Sequence, residues 1–273
     1  NGVHEALFAV GWTFGPLIGA LLIASFGAVS AFWVPGAMFV VAAASIAAIK
    51  VGDAGRDAVE AGAEEVGGWR GITRGFVVLN ADHALRALTV AVMILTGVYL
   101  PTESILLPVH FEALAEPESL GLVIAALAGG SVLGSFAYGW ISRRLSSYQI
   151  IRLAMIGTAV AIIPMAFLPP LPLLLIAGFL LGLSWGPMQP LLNVLVQQRV
   201  PAQEQGRVFS VQLTSFYVFP PLAMLLTGAA TERWGVSPVY LTLAGLLIVV
   251  GIVTLALASV RAIDKAPVSD AGQ

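Results

Sequence analysis

Residues 11–20 read GWTFGPLIGA, inside an apolar run that extends from about Ala6 to about Ile23. Gly11, Gly15 and Gly19 recur every four residues, so on a helix they fall on one stripe. A stripe without side chains lets a second helix approach backbone to backbone, as small-xxx-small pairs do in membranes. Pro16 removes one backbone donor and bends the helix there. A bare groove with a bend shapes a contact between helices and carries no catalytic group.

The wider spacing adds Gly2 before the groove and Ala20 after it. Gly2, Gly11, Gly15-Pro16 and Gly19-Ala20 together resemble the fifth-helix signature of exporters in the major facilitator superfamily. That signature ends in two glycines, and here Ala20 takes the place of the second. The resemblance implies an exporter in which this groove packs at the moving interface between two six-helix halves.

Composition points the same way on separate grounds. Hydrophobic residues make up 58% of the 273 residues and charged residues 10%, and the mean hydropathy is +0.93. A soluble domain carries about a quarter charged residues, so this chain expects lipid as its solvent. The net charge of -2 offers no basic patch for nucleic acid. Cysteine is absent, and His4, His83 and His110 are too scattered to pair on a metal. No cofactor is expected.

Apolar stretches long enough to span a bilayer follow one another along the chain. They are predicted at about 6–25, 31–49, 84–110, 119–140, 149–168, 171–197, 207–230 and 236–260. The fold class is therefore an all-α membrane bundle of about eight spans. The stretch 52–73 is polar and reads as a solvated linker. Of the 13 Lys and Arg residues, all but Arg233 fall on alternate connections, the linker included. By the positive-inside rule these lie in the cytoplasm, which also places the C-terminus there. The first span then starts inside, as a fifth helix of twelve would.

The resemblance divides the chain into 1–50, the last two helices of an N-terminal half; 51–75, a cytoplasmic linker; 76–262, a six-helix C-terminal half; and 263–273, a cytoplasmic tail. The chain opens at Asn1 directly on a span, and is read as a fragment that lacks the first four helices and should not transport alone. Two further motifs support the family. Gly139 to Arg144 resembles its Gly-x-x-x-Asp-Arg turn, with Arg143 where the Asp would stand and Ser146 where a second Gly would. Pro201 to Arg207 looks like the Pro-x-x-x-x-Gly-Arg turn of the macrolide-efflux and enterobactin-exporter branch. In that turn Pro201 stops one helix, Gly206 is expected at positive φ, and Arg207 opens the next helix, with Glu204 its nearest acidic partner.

Polar groups inside spans mark the candidate pathway. Glu103 is a carboxylate in the outer part of its span. Thr89, Thr96, Glu103 and His110 recur every seven residues and form one polar stripe. Pro101 and Pro108 are expected to break the helix around Glu103 and free carbonyls to solvate a site. Substrate or proton contact is assigned to Glu103, Thr96, Tyr99, Gln189, Asn193 and Gln212. The conformational motif is assigned to Gly11, Gly15, Pro16, Gly19, Gly206 and Arg207. Gly182-Leu-Ser184-Trp-Gly186 also matches the hydrolase pattern G-x-S-x-G, though mid-span and without a facing His. The resulting reading is proton-coupled efflux of a small organic molecule by a monomer in a bacterial inner membrane. An importer of the same fold and an intramembrane serine protease are the alternatives.

Overall fold

Residues 29–48 and 69–264 are described by the computed structural model, and among them every regular element is helical. The chain divides into two compact units, Asn1–Gly68 and Trp69–Gln273. In the first unit the described element is α1 (Ser30–Ala48), the counterpart of the span expected at 31–49. The groove formed by Gly11, Gly15, Pro16 and Gly19 lies outside the described residues.

The second unit runs α2 (Trp69–Ala81), α3 (His83–Pro101), a π-helical segment (Thr102–Leu106), α4 (Leu107–Ala113), α5 (Pro117–Ile141) and α6 (Ser147–Ala166). It continues with α7 (Leu171–Trp185), α8 (Met188–Arg199), α9 (Ala202–Trp234), α10 (Val236–Ala256) and the short α11 (Ala258–Arg261). Merged across their irregularities, these give six helices long and apolar enough to cross a membrane, at His83–Ala113, Pro117–Ile141, Ser147–Ala166, Leu171–Arg199, Ala202–Trp234 and Val236–Ala256. All six stretches read from the sequence in this region are present. α2 begins at Trp69, inside the stretch read as linker.

Most neighbours in space are not neighbours in sequence. α5 lies along α7, α7 along α6, α6 along α10, α10 along α3, and α3 along both α9 and, at its start, α2. The α5–α7 pair is the closest, and glycine explains why. On α5, Gly130 and Gly134 face the backbone of Phe179 and Leu183; Gly182 on α7 and Gly186 just beyond its end face the backbone of Leu127 and Ser131. A Cβ at Gly182 would also meet Ser131 N at 2.8 Å, and one at Gly186 would meet Ser135 N at 2.7 Å. Lipid tails are as apolar as leucine, so helices in a membrane associate by such close packing and by interhelical hydrogen bonds. The seam supplies one of the latter. Pro190 has no N–H to give the Gly186 carbonyl four residues earlier, and the Ser135 hydroxyl donates to that carbonyl from α5 at 2.8 Å.

The basic end of the bundle is tied by side chains. Asp82 breaks the chain between α2 and α3 and caps α3, accepting from the N–H groups of Ala84 and Leu85, each at 2.9 Å. Its other oxygen takes Arg199 Nε from the end of α8 at 2.7 Å. Arg199 also donates to the Ile263 carbonyl at 2.8 Å. Ile263 and Val260 are buried, so the segment after α10 folds under the bundle. Asp264 then accepts from the N–H groups of Ser147 at 2.7 Å and Tyr148 at 3.2 Å, at the start of α6.

Burial alone would push the Asp264 carboxyl up, but hydrogen bonds from Ser146 and from Tyr148 and Ser147 outweigh it and hold the group below its ordinary 3.8. A carboxylate whose folded value is depressed stabilises the fold above its unfolded value. That contribution disappears as pH falls through the folded value. The expected outcome is that Asp264→Asn unfolds at lower temperature than wild type at neutral pH, and that the gap closes below about pH 4. Thermal unfolding of the purified chain across pH checks this; a gap that persists in acid would assign the loss to packing.

One expectation is corrected here. Gly206 is not at positive φ, and Arg207 does not open a helix. Among the described residues positive φ occurs at Ala115, Leu168 and Gly235. Pro201 caps α9 directly, and the helix formers Ala202 to Gln205 start it at once, so Gly206 and Arg207 sit inside the helix. The acidic partner is as expected: Glu204 accepts Arg207 Nη1 at 2.8 Å, and also Arg74 Nε from α2 at 3.0 Å. α2 is seated there by Gly75, where a Cβ would meet the Arg207 carbonyl at 2.7 Å.

Candidate functional site

The run from His83 to Ala113 carries Pro101 and Pro108, and its helix does not break at them but widens. Leu107 N–H reaches back five residues to the Thr102 carbonyl, which makes Thr102–Leu106 a π-helical turn. Pro108 accounts for the change of register. It has no N–H, so the carbonyl it would have bonded, that of Ser104 in an α-helix or of Glu103 in the wider register, keeps no helical donor. Backbone of this kind is tolerated at membrane depth where it is buried in protein or lines a cavity.

Glu103 sits in this turn, half-buried. Among the described residues no hydrogen bond or ion pair involves its carboxylate. One α-turn earlier Tyr99 stacks on Trp185 of α7, ring centroids 6.0 Å apart and planes 7° apart. Trp185 is the last residue of α7, immediately before the Gly186-Pro187 interruption that separates it from α8. The Tyr99–Trp185 stack therefore joins two helix irregularities from distant parts of the sequence.

Tyr240 completes the cluster from behind. It is fully buried, and its hydroxyl has no hydrogen-bond partner, the one such side-chain atom among the described residues. Thr102 lies beside it, but the Thr102 hydroxyl already donates to the Val98 carbonyl at 3.0 Å. A buried hydroxyl without a partner costs about 1–3 kcal/mol.

The other sequence candidates separate into two groups. Gln212 is buried and donates to Thr89 Oγ1 at 2.8 Å, which ties α9 to α3. Thr96 donates to the Val92 carbonyl of its own helix at 2.8 Å. The seven-residue stripe is thus divided: Thr89 is spent on Gln212, and His110 packs edge-on against Phe111 at 5.2 Å. Gln189 and Asn193, by contrast, stand on α8 with Gln189 exposed, and bond each other at 3.3 Å. Ser184 donates to the Leu180 carbonyl at 2.8 Å. The two glycines flanking it serve the α5–α7 seam, which leaves the hydrolase pattern without a nucleophile or an elbow.

Sequence reasoning missed Trp185 and Tyr240. Trp185 had a usable signal, an aromatic directly ahead of Gly-Pro in a membrane span. Tyr240 had none.

Comparison with known proteins follows the same lines. The Major Facilitator Superfamily description matches residues 1–220. "Multidrug efflux pump Tap" of Mycolicibacterium fortuitum is 34% identical over 266 residues, 97% of this chain and 64% of that protein. The protein of the same name in Mycobacterium tuberculosis (strain ATCC 25618 / H37Rv) is 32% identical over 99% of this chain and 64% of its own length. "Uncharacterized MFS-type transporter YfiS" of Bacillus subtilis (strain 168) is 28% identical over 89% of this chain and 59% of its own length. The chain thus spans under two thirds of each of these relatives. No solved structure matches it. Six helices long and apolar enough to cross a membrane agree with the sequence match, and the chain belongs to the major facilitator superfamily of transporters.

Proposed function

We propose that this chain supplies eight of the helices of a proton-coupled efflux transporter for small organic molecules. Residues 1–50 would end one half of the transporter and 76–262 would form the other, joined by a cytoplasmic linker, with access alternating between the two sides of a bacterial cell membrane. The arrangement of Lys and Arg supports a cytoplasmic linker and a cytoplasmic C-terminus. Drug-like cargo is supported by the two relatives named as multidrug efflux pumps. Proton coupling rests on one observation: a half-buried carboxylate, Glu103, in a widened turn of a membrane helix, with no cationic partner among the described residues. A lone intramembrane carboxyl exchanging its proton is the least costly way to carry charge through such a site. Gln189 and Asn193, beyond the Gly186-Pro187 interruption, are the polar groups assigned to the substrate.

Everted membrane vesicles test the reading. An acid interior should drive accumulation of a fluorescent drug in vesicles carrying the transporter, and a protonophore should abolish it. Accumulation by right-side-out vesicles alone would replace the exporter by an importer. Accumulation indifferent to the protonophore would remove proton coupling.

A further inference from the structure

Tyr240 is the buried polar group that the proposed function leaves without a task. It projects from α10, a helix whose charged residues number zero from Val236 to Ala256. α10 packs against the π-helical segment and against α3. The Tyr240 hydroxyl lies close enough to the Thr102 side chain, at the first residue of that segment, to feel it, but outside hydrogen-bond geometry. Within the same segment Pro108 leaves one carbonyl without a helical donor. A hydroxyl without a partner and a carbonyl without a helical donor therefore belong to two elements in contact. The segment itself is the part of the helix that can change register, because neither the four-residue nor the five-residue pattern satisfies all of its carbonyls.

We propose that Tyr240 is a positioning residue for transport: its hydroxyl pairs with the Thr102–Leu106 segment in the alternate conformation of the transporter, and not in the one described here. A hydrogen bond made in one conformation and absent from the other is a differential interaction, and such an interaction is what shifts a two-state equilibrium. The acceptor is Thr102 Oγ1 or the carbonyl freed by Pro108. Either contact would fix the backbone that carries Glu103, so Tyr240 acts on the carboxylate through the segment and touches no substrate. The groups around the segment leave little else for the role. Tyr99 of α3 is committed to its stack with Trp185. α9 carries its acidic and basic residues at its two ends, with Glu232 and Arg233 exposed.

The inference rests on alternating access, and the test separates the two. Tyr240→Phe deletes the hydroxyl and keeps the ring. In the described conformation nothing is lost, so the thermal midpoint of the purified variant should equal or exceed that of wild type. Drug transport in everted vesicles should show a maximal rate reduced by about fivefold with KM within a factor of two, because the alternate conformation alone is destabilised. Thr102→Val should reduce the rate similarly if Oγ1 is the acceptor, and should leave it unchanged if the carbonyl is. An unchanged maximal rate in Tyr240→Phe overturns the proposal, and so does a lowered thermal midpoint, which would mean the hydroxyl is already bonded in this conformation. Failure of wild-type vesicles to accumulate drug overturns the transport reading instead.

Discussion

Gly182→Leu should prevent the second unit from assembling. The three nearest atoms that an added Cβ would meet all belong to the backbone of α5: the Leu127 carbonyl oxygen and carbon and the Ser131 nitrogen. Backbone cannot rotate out of the way, so α5 and α7 would have to separate along their length. That separation would also undo the paired contacts at Gly130, Gly134 and Gly186 and the Ser135 bond to the Gly186 carbonyl. Overpacking a side chain that can rearrange costs about 1–3 kcal/mol. A clash between two backbones exceeds that, and a loss of about 4 kcal/mol or more is expected, in the range that unfolds a marginal protein. Helix propensity works against the prediction by about 1 kcal/mol, since Gly is a poor helix former, and does not offset it. Gly121→Leu is the control. Gly121 lies on α5 as well, but a Cβ there meets nothing within 4 Å. Thermal unfolding in detergent should show the control folded and Gly182→Leu aggregated or melted at low temperature. Equal midpoints would mean that the seam is not what holds these helices.

That seam shows where reading the sequence succeeded and where it stopped. The six spans were legible because each is a long apolar run, and length and composition alone define such an element. The Glu204–Arg207 pair was legible because its members are three residues apart and Glu204 is the nearest acid to Arg207. The Asp82–Arg199 pair was not, since the partners are separated by 117 residues and meet only when α3 and α8 are placed together. Gly130 with Gly134, and Gly178 with Gly182 and Gly186, are small-residue repeats as plain as the one at Gly11–Gly19. Spacing alone does not say which helix faces which, and Gly182 to Gly186 also fits the hydrolase pattern. Prolines were legible as interruptions, but their outcome was not. Pro108 yields a widened turn, and Pro187 with Pro190 yields a two-piece helix, because neighbouring groups differ in what they offer the freed carbonyls. Tyr240 left no trace in the sequence at all. A tyrosine in an apolar helix reads the same whether its hydroxyl is bonded or idle.

Glu103→Gln should uncouple the transporter without unfolding it. Glutamine matches the carboxylate in size and keeps a hydrogen-bonding end, but it has no proton to exchange. Placing a charged acid in a membrane span costs about 2.5–3.5 kcal/mol, so the neutral amide should leave thermal stability unchanged or raised. No hydrogen bond or ion pair among the described residues is lost with the charge. The functional consequence is expected to be large. Accumulation of drug against its gradient in acid-loaded everted vesicles should fall by at least about tenfold, because the free energy of the proton gradient reaches the cargo only through a group that is occupied differently on the two sides of the membrane. Downhill equilibration of preloaded drug needs no such group and should persist. Glu103→Asp shortens the side chain by one methylene and retains the exchangeable proton, so uphill accumulation should be weakened and not abolished. This pattern separates coupling from binding: a residue that only held a cationic substrate would lose uphill and downhill movement together. Uphill accumulation by Glu103→Gln equal to wild type would remove the carboxylate from the coupling step.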